Sequence, residues 1–175
     1  MTLVIIVEDG SGVANANSYI SVTDADAYFG ARLYSTAWTG AVTATKNIAL
    51  VQAARTLDNY IQWYGIKSDP DFTMQWPRVD IYERQIVDGV ETDIELVDMV
   101  PQCVIDAQCE LAVWLLSNDV TSVTGTEGFR KLSVAGAISF EVDSSTKPML
   151  IPALVFQLVG KYGNRKGSYP QVVRA

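Results

Sequence analysis

The side chains that most often transfer protons and bind metals are absent from this sequence or stand in polar surroundings. None of the 175 residues is a histidine, which removes the side chain best suited to proton transfer near neutral pH and the commonest metal ligand. Carboxylates do occur in pairs, such as Asp24 with Asp26 and Glu91 with Asp93. A catalytic carboxyl group needs burial or a close like charge to shift its pKa, and these pairs stand among polar residues. We therefore expect solvated surface, no catalysis, no cofactor and no metal ion.

Two further patterns could in principle bind nucleotides or bases. The segment Asp9-Gly10-Ser11-Gly12 is rich in glycine, but it lacks the Lys-Ser/Thr pair of a phosphate-binding loop and the full dinucleotide fingerprint. Aromatic side chains that could stack on bases, as single-strand binders require, are Trp38, Trp63, Tyr64 and Trp76. Because no basic residues are threaded among them, we interpret these aromatics as core and interface packing.

The charge distribution separates an acidic N-terminal part from a basic C terminus. The net charge is −7, so the chain as a whole repels DNA and only a local patch could bind it. Residues 161–175 contain no acid and four bases: Lys161, Arg165, Lys166 and Arg174. A basic tail of this kind usually contacts an acidic partner surface or nucleic acid; the alternative is a C terminus that only aids solubility.

Composition and hydropathy indicate one globular domain. Apolar residues make up 49% of the chain and charged residues 19%, a balance typical of folded proteins. No apolar stretch approaches the ~20 residues of a membrane span, and the N terminus lacks the features of a secretory signal. The two cysteines, Cys103 and Cys109, fall on different sides of one expected helix and cannot bridge each other. We interpret them as core residues in a reducing cytoplasm.

The pattern of apolar residues predicts a mainly α fold: a small bundle of about four helices, a β-hairpin and extended N- and C-terminal arms. Thr23 is the expected N-cap of the first helix, Gly65 is expected to end the second, and Pro101 and Pro152 begin the last two. The predicted elements, in chain order, are an arm at 1–22, helices at 24–34 and 45–64, a long loop at 65–100, a helix at 101–118, a hairpin at 130–143, a helix from 152 and a tail at 161–175.

The predicted loop over 65–100 is acidic. Between Val79 and Asp98 it carries seven acids and one base, around the hairpin-like Ile86-Val87-Asp88-Gly89-Val90. Loops of this length are usually functional or ordered by a partner. Before the acids stands Trp76-Pro77-Arg78, whose rigid X-Pro step is expected to anchor the loop to the core.

Several segments together resemble a family of small tailed-phage proteins. They are Val7-Glu8-Asp9-Gly10-Ser11-Gly12-Val13-Ala14-Asn15-Ala16-Asn17-Ser18-Tyr19-Ile20-Ser21-Val22 with Asp24-Ala25-Asp26-Ala27-Tyr28-Phe29, Ala53-Ala54-Arg55-Thr56-Leu57-Asp58 with Tyr60 and Trp63, Gln75-Trp76-Pro77-Arg78, and Val100-Pro101 with Ala107-Gln108-Cys109-Glu110-Leu111-Ala112. The chain resembles head-to-tail adaptor, or head-completion, proteins. Some of these carry the label DnaT-like single-stranded-DNA-binding protein.

The resemblance implies a structural role in the virion. It implies a single adaptor domain over 1–160, assembled in the host bacterial cytoplasm as a twelve-subunit ring at the neck, between the portal protein and the tail or neck proteins. Double-stranded DNA would pass through the ring, and no membrane would be involved. The C-terminal segment would dock on the portal, a role carried over to Lys161, Tyr162, Arg165, Lys166, Tyr169 and Arg174.

Two other functions stay open at this point. One is a single-stranded-DNA-binding protein that assists replication, which the family label, the aromatics and the basic tail favour; it requires measurable affinity at moderate salt. The other is an enzyme that uses carboxylates and a metal ion, which no converging set of ligands supports. Ring formation with portal binding would distinguish the adaptor from both.

Overall fold

The computed structural model describes residues 3–119, 131–134, 138–141 and 151–166. These residues form five helices and eight strands. The helices are α1 (Val22–Gly30), α2 (Thr36–Thr39), α3 (Thr43–Tyr60), α4 (Gln102–Leu115) and α5 (Ala153–Val159). The strands are β1 (Ile61–Trp63), β2 (Ile66–Lys67), β3 (Arg78–Val79), β4 (Tyr82–Val87), β5 (Val90–Glu95), β6 (Lys131–Val134), β7 (Ile138–Glu141) and β8 (Gly163–Arg165).

The core lies where α4 packs between α3 and α5. Each helix places an apolar stripe at helical spacing against its neighbour. On α3 the stripe includes two adjacent alanines, Ala53 and Ala54, which allow α4 to approach closely. Side chains without solvent exposure in this core are Leu50, Ala53, Ala54, Leu57, Val104, Ala107, Leu111, Val155 and Val159.

The prediction of a mainly α four-helix bundle is wrong, because the fold is mixed α/β. The strands form antiparallel pairs, β1 with β8, β2 with β3, β4 with β5 and β6 with β7. Residues 65–100, expected to be a long loop, contain four of these strands. Segments of two to six residues are too short for a sustained period; only the turn between β4 and β5 left a local signal, the hairpin-like Ile86-Val87-Asp88-Gly89-Val90.

The N-terminal segment is folded back on the domain and is not an extended arm. Val7 and Ser18 form a parallel bridge, the Glu8 N–H donates to the Ser18 carbonyl at 2.8 Å and the Asn17 N–H donates to the Ile6 carbonyl at 2.9 Å. Ala16 is completely buried. The apolar run that begins the chain is therefore held by backbone hydrogen bonds to its own following residues.

A buried carboxylate organises the turn within this segment. The Glu8 side chain is 1% exposed; its Oε1 accepts from the N–H groups of Gly10 and Gly12, both at 2.9 Å, and its Oε2 accepts from the Val13 N–H at 2.8 Å. Gly10 and Gly12 have φ of 106° and 77°, which favours glycine. The glycine-rich loop thus encloses the Glu8 carboxylate, and its N–H groups already donate hydrogen bonds to that side chain.

One buried amide joins the N-terminal segment to the helices. Gln108, on α4, has no solvent exposure. Its Nε2 donates to the Ser18 Oγ at 2.7 Å and to the Leu50 carbonyl at 3.0 Å, and its Oε1 accepts from the Tyr19 N–H at 2.9 Å. A single side chain therefore links α4, α3 and the N-terminal segment, and it satisfies a buried backbone donor.

The first two predicted helices, at 24–34 and 45–64, correspond to α1 and α3, and both ends of each differ from the prediction. Ser21, and not Thr23, is the N-cap of α1, and its Oγ accepts from the Asp24 N–H. Helix α3 ends at Tyr60 because Ile61 is already extended and begins β1. Gly65, at φ 66°, serves a different purpose: a Cβ there would lie 2.3 Å from the Val79 carbonyl oxygen, so glycine allows β2 and β3 to pair.

The acidic segment forms a hairpin with an exposed tip. Strands β4 and β5 pair from Tyr82 with Glu95 to Val87 with Val90, and Asp88 and Gly89 form the turn with φ of 51° and 80°, as a type I′ turn requires. Ile86 at the tip is 75% exposed.

No helix in the described part of the chain is long and apolar enough to cross a membrane.

Candidate nucleic-acid interface

The C-terminal basic segment forms a two-stranded ribbon with the strand that follows α3. In the antiparallel register, Ile61 pairs with Arg165, Gln62 with Asn164 and Trp63 with Gly163. The Lys166 N–H donates to the Tyr60 carbonyl at 2.8 Å and extends the ladder by one step. We call residues 60–64 and 163–166 the ribbon. Part of the predicted tail is therefore ordered by strand pairing, while Tyr169 and Arg174 lie outside the described residues.

The inner face of the ribbon is held by aromatic packing. Trp63 is 7% exposed and Trp76 is fully buried; their rings meet edge to face at a centroid distance of 5.7 Å. Trp76 makes a second edge-to-face contact with Tyr162, at 5.8 Å. Gly163 permits the close approach of the strands, since a Cβ there would lie 2.6 Å from Ile61 Cγ2. The core thereby fixes the position of both strands.

Arg78 attaches the loop before the hairpin to the same place. It follows a cis Trp76–Pro77 peptide bond and is 8% exposed. Its Nε donates to the Tyr64 carbonyl at 2.6 Å and its Nη2 to the Gly65 carbonyl at 2.9 Å. These charge-assisted hydrogen bonds join the end of the ribbon to the Trp76-Pro77-Arg78 motif. The motif contacts the ribbon directly, and its anchoring role stays a prediction.

The outer face of the ribbon is polar and aromatic. Gln62 and Asn164 lie opposite each other and both are exposed. Tyr60, at the start of the ribbon, is 38% exposed and Tyr64, at its end, is 43% exposed. This face therefore presents two tyrosine side chains to solvent, separated by short polar side chains.

Two cations end the strand that pairs with β1: Lys166 lies opposite Tyr60 on the outer face, and Arg165 lies opposite Ile61 on the other face. Arg165 and Lys166 are exposed, and neither forms a salt bridge with an acid among the described residues. The Arg165 guanidinium lies 5.9 Å from the Phe156 ring centroid, a distance at which a cation–π contact steadies the side chain and leaves its charge unpaired. Lys161 is placed differently, because its Nζ contacts Glu83 at 2.6 Å. Tyr162, also predicted to dock a partner, is only 5% exposed.

A partly buried carboxyl group lies beneath the ribbon. Asp58 accepts hydrogen bonds from the Tyr19 hydroxyl at 2.7 Å and from the Gln75 N–H at 3.1 Å. Desolvation by the surrounding protein raises the pKa of Asp58 to about 6, although these hydrogen bonds and the nearby Lys67 and Trp63 act in the opposite direction. Asp58 thus connects α3, the N-terminal segment and the loop before the hairpin.

This pKa gives a stability prediction with a definite sign. A raised pKa means that the folded state binds the proton more tightly than the unfolded chain, whose value is 3.8. We therefore expect the contribution of Asp58 to the free energy of unfolding to fall as pH rises from about 4 to about 6. Urea titrations across this window should show the wild type losing stability relative to Asp58→Asn. If the stability difference between the two proteins did not change with pH, or if the wild type gained stability relative to Asp58→Asn as pH rises, the raised pKa of Asp58 would be contradicted.

The paired carboxylates have local structural partners. Asp24 lies in the cap of α1, and Asp26 Oδ1 accepts from Trp38 Nε1 and from Lys46 Nζ, both at 2.7 Å. Glu91 and Asp93 flank Arg84 on the hairpin. Within the described ranges, no group of three or more metal-binding side chains is present. Both cysteines in that part are free thiols, and burial raises the pKa of each.

Three residues of the site were not anticipated. The pattern predicts Tyr60 and Gln62 inside the helix at 45–64, because Leu57, Ile61 and Tyr64 also fit a helical period. The alternation of Ile61-Gln62-Trp63-Tyr64 was the available signal for a strand. Asn164 could not have been found, since only its pairing with Gln62 brings it into the site.

Comparison with known proteins gives a match to a family model. No curated protein and no solved structure matches the chain. The matching family model is described as "Putative DnaT-like ssDNA binding protein", and it covers residues 1–175. Because the match extends over the whole chain, this protein belongs to that family.

Proposed function

We propose that this protein binds single-stranded DNA on the outer face of the ribbon. The family description names that ligand. The observation that carries the proposal is that two exposed tyrosines share the outer face with Lys166, a cation without an acidic partner in the described chain, and that a second such cation, Arg165, is exposed next to it in the same strand. A surface that binds single strands without reading sequence needs these two components, because the bases stack on aromatic rings while the phosphates contact basic groups.

The geometry suits an unpaired strand better than a duplex. Tyr60 and Tyr64 flank β1 on either side, and residues four apart along a strand are about 13 Å apart. That spacing leaves room for two or more nucleotides between the rings. Stacking requires bases whose faces are open, as in a single strand, whereas a duplex would present only its phosphates to the cations.

The acidic surface elsewhere restricts binding to this patch. With a net charge of −7, the protein repels DNA at long range, and only the local cations offset this repulsion. We therefore expect weak binding that depends on salt, with a slope of log K against log salt of about 0.7 for each neutralised phosphate of a single strand. Two or three phosphate contacts are the expected number.

The proposal is tested by fluorescence anisotropy with a labelled oligothymidylate at low salt. The double variant Arg165→Ala/Lys166→Ala is expected to weaken binding about tenfold and to lower the salt slope by about 1.4, the value for two lost phosphate contacts. Arg55→Ala is the matched control, because Arg55 is an exposed cation on α3 outside the ribbon. If Arg165→Ala/Lys166→Ala and Arg55→Ala lost the same affinity for the oligonucleotide, the proposed site would be overturned. If the wild type did not bind at all, the proposed function would be overturned.

A head-to-tail adaptor of a tailed phage is the second candidate. The hairpin β4–β5 favours it, because Ile86, Val87 and Val90 are 75%, 43% and 64% exposed, and exposed apolar groups together mark contact surfaces. In this proposal the protein forms a twelve-subunit ring in the virion neck, with the portal on one side, the tail on the other and double-stranded DNA in the channel. The C-terminal bases, including Arg165, Lys166 and Arg174, would dock on the portal.

Electron microscopy of the protein mixed with its portal ring distinguishes this candidate. A deletion that begins at residue 161 would remove β8 and Tyr162 from the fold, so the informative truncation begins at residue 167. An added symmetric ring that is lost on this truncation, or in Arg165→Ala/Lys166→Ala, would support the adaptor. Absence of any portal complex would contradict it.

A further inference from the structure

The base of the acidic hairpin contacts the turn that leads into β8. Lys161 Nζ lies 2.6 Å from Glu83 Oε1, and the Tyr162 hydroxyl donates a hydrogen bond to the same oxygen atom. Both donors immediately precede the ribbon strand that carries Arg165. The hairpin and the proposed DNA-binding face are therefore connected through one carboxylate.

The rest of the hairpin adds negative charge beside this contact. Residues 82–95 contain five acids and one base. The base, Arg84, is already shared between Asp93 at 3.2 Å and Glu91 at 3.6 Å. The side chains of these three residues are more than half exposed, so the excess negative charge faces solvent.

We propose that the hairpin β4–β5 is an autoinhibitory element, in which Glu83 occupies Lys161 in place of a DNA phosphate and the strand must displace it. The inference rests on the proposed function, because it assigns a regulator to the same surface. When the contact opens, Lys161 becomes a third available cation, at the end of the ribbon near Tyr64. DNA that engages the ribbon thereby gains a phosphate contact.

The contact has the properties of a displaceable competitor. The Lys161 side chain is 60% exposed and that of Glu83 is 23% exposed, and salt bridges open to solvent are weak and screened by salt. The hydrogen bond from Lys161 lowers the pKa of Glu83, so this carboxylate is charged at neutral pH. A phosphate offers Lys161 the same chemistry as the carboxylate, and the exchange needs no rearrangement of the core.

The test compares two variants that remove one negative charge each. Glu83→Gln removes the charge that contacts Lys161, and Glu91→Gln removes one that lies on the same hairpin and forms a salt bridge with Arg84. With labelled oligothymidylate, Glu83→Gln is expected to bind about threefold more tightly at low salt and to steepen the salt slope by about 0.7, the value for one added phosphate contact. Glu91→Gln should change affinity less and leave the slope unchanged.

A third comparison ties the gain to Lys161. In a Lys161→Ala background, Glu83→Gln should no longer raise affinity or steepen the slope. Equal effects of Glu83→Gln and Glu91→Gln, or a gain that persists without Lys161, would overturn the autoinhibitory contact while leaving the ribbon as the DNA site. If neither the wild type nor any variant binds, the proposed function fails and the inference fails with it. Circular dichroism melting of each variant establishes that it is folded.

Discussion

Replacing Trp76 with alanine is expected to lower the free energy of unfolding by about 3–5 kcal/mol, the cost of removing a large aromatic side chain from a packed core. Trp76 is fully buried and supports the inner face of the ribbon through its edge-to-face contacts with Trp63 and Tyr162. Without it, both strands lose the surface on which they rest. Urea denaturation followed by circular dichroism measures the loss without relying on the fluorescence of the remaining tryptophans.

Two matched variants separate packing from other effects. Trp76→Phe should cost much less, because Trp76 Nε1 has no hydrogen-bond partner among the described residues and a ring would still fill most of the volume. Tyr34→Ala removes an aromatic ring that is 92% exposed and should change stability by less than about 0.5 kcal/mol. A Trp76→Ala protein as stable as Tyr34→Ala would show that the ribbon does not depend on this anchor.

The second large effect is expected at Gln108. Gln108→Ala should lower the free energy of unfolding by about 3 kcal/mol, because it leaves a cavity and deprives the buried Tyr19 N–H of its acceptor. Gln108→Met keeps most of the volume and removes the hydrogen bonds, so it should account for about 1–3 kcal/mol of that loss. Equilibrium denaturation of both variants measures the two contributions.

The same helix supplies the control. Gln102 is exposed at the start of α4, and its amide donates to Asp106, so Gln102→Ala should change stability by less than about 0.5 kcal/mol. If Gln108→Met is as stable as the wild type, the hydrogen bonds between α4 and the N-terminal segment contribute nothing. Hydrogen exchange at Tyr19 should also be faster in Gln108→Met, since its amide has lost its partner.

The parts of the fold that could be predicted are those with a local period. Helices α3, α4 and α5 bury apolar stripes that repeat every three to four residues, and proline stands at the N-cap of both α4 and α5. Each pattern needs only neighbouring residues to be recognised. The predicted helices overlap the observed ones for this reason, and their ends are less accurate because caps depend on individual side chains.

The parts that could not be predicted depend on contacts between distant residues. The ribbon joins residues about 100 positions apart, and the folded-back N-terminal segment is held by Gln108, 89 residues from Tyr19. The residues around each partner do not indicate where in the sequence the other partner lies. Glu8 illustrates the same limit at short range: Gly10 and Gly12 indicated a turn, but nothing in the sequence alone identified the carboxylate that their N–H groups enclose.

The residues of the candidate site also divide into those that the sequence indicates and those that only the fold brings into the site. Lys161, Arg165 and Lys166 could be selected from sequence because a run of bases without acids is visible in composition. The sequence does not show which of these bases are available to a partner, since Glu83, which pairs with Lys161, lies 78 positions away from it. Tyr60 and Asn164 enter the site only through strand pairing, and Tyr162 leaves it because its ring packs on Trp76.

Photocrosslinking with a 5-iodouracil oligonucleotide tests the ribbon most directly, because it reports which aromatic side chains contact the bases. The ribbon proposal predicts crosslinks at Tyr60 and Tyr64, identified by mass spectrometry of the attached peptides, and their loss in excess unlabelled oligonucleotide. Tyr34 and Tyr82, which are 92% and 56% exposed, are internal controls, since random labelling would favour the more exposed rings. Crosslinks at Tyr34 or Tyr82 in place of Tyr60 and Tyr64 would contradict the ribbon as the DNA-binding surface.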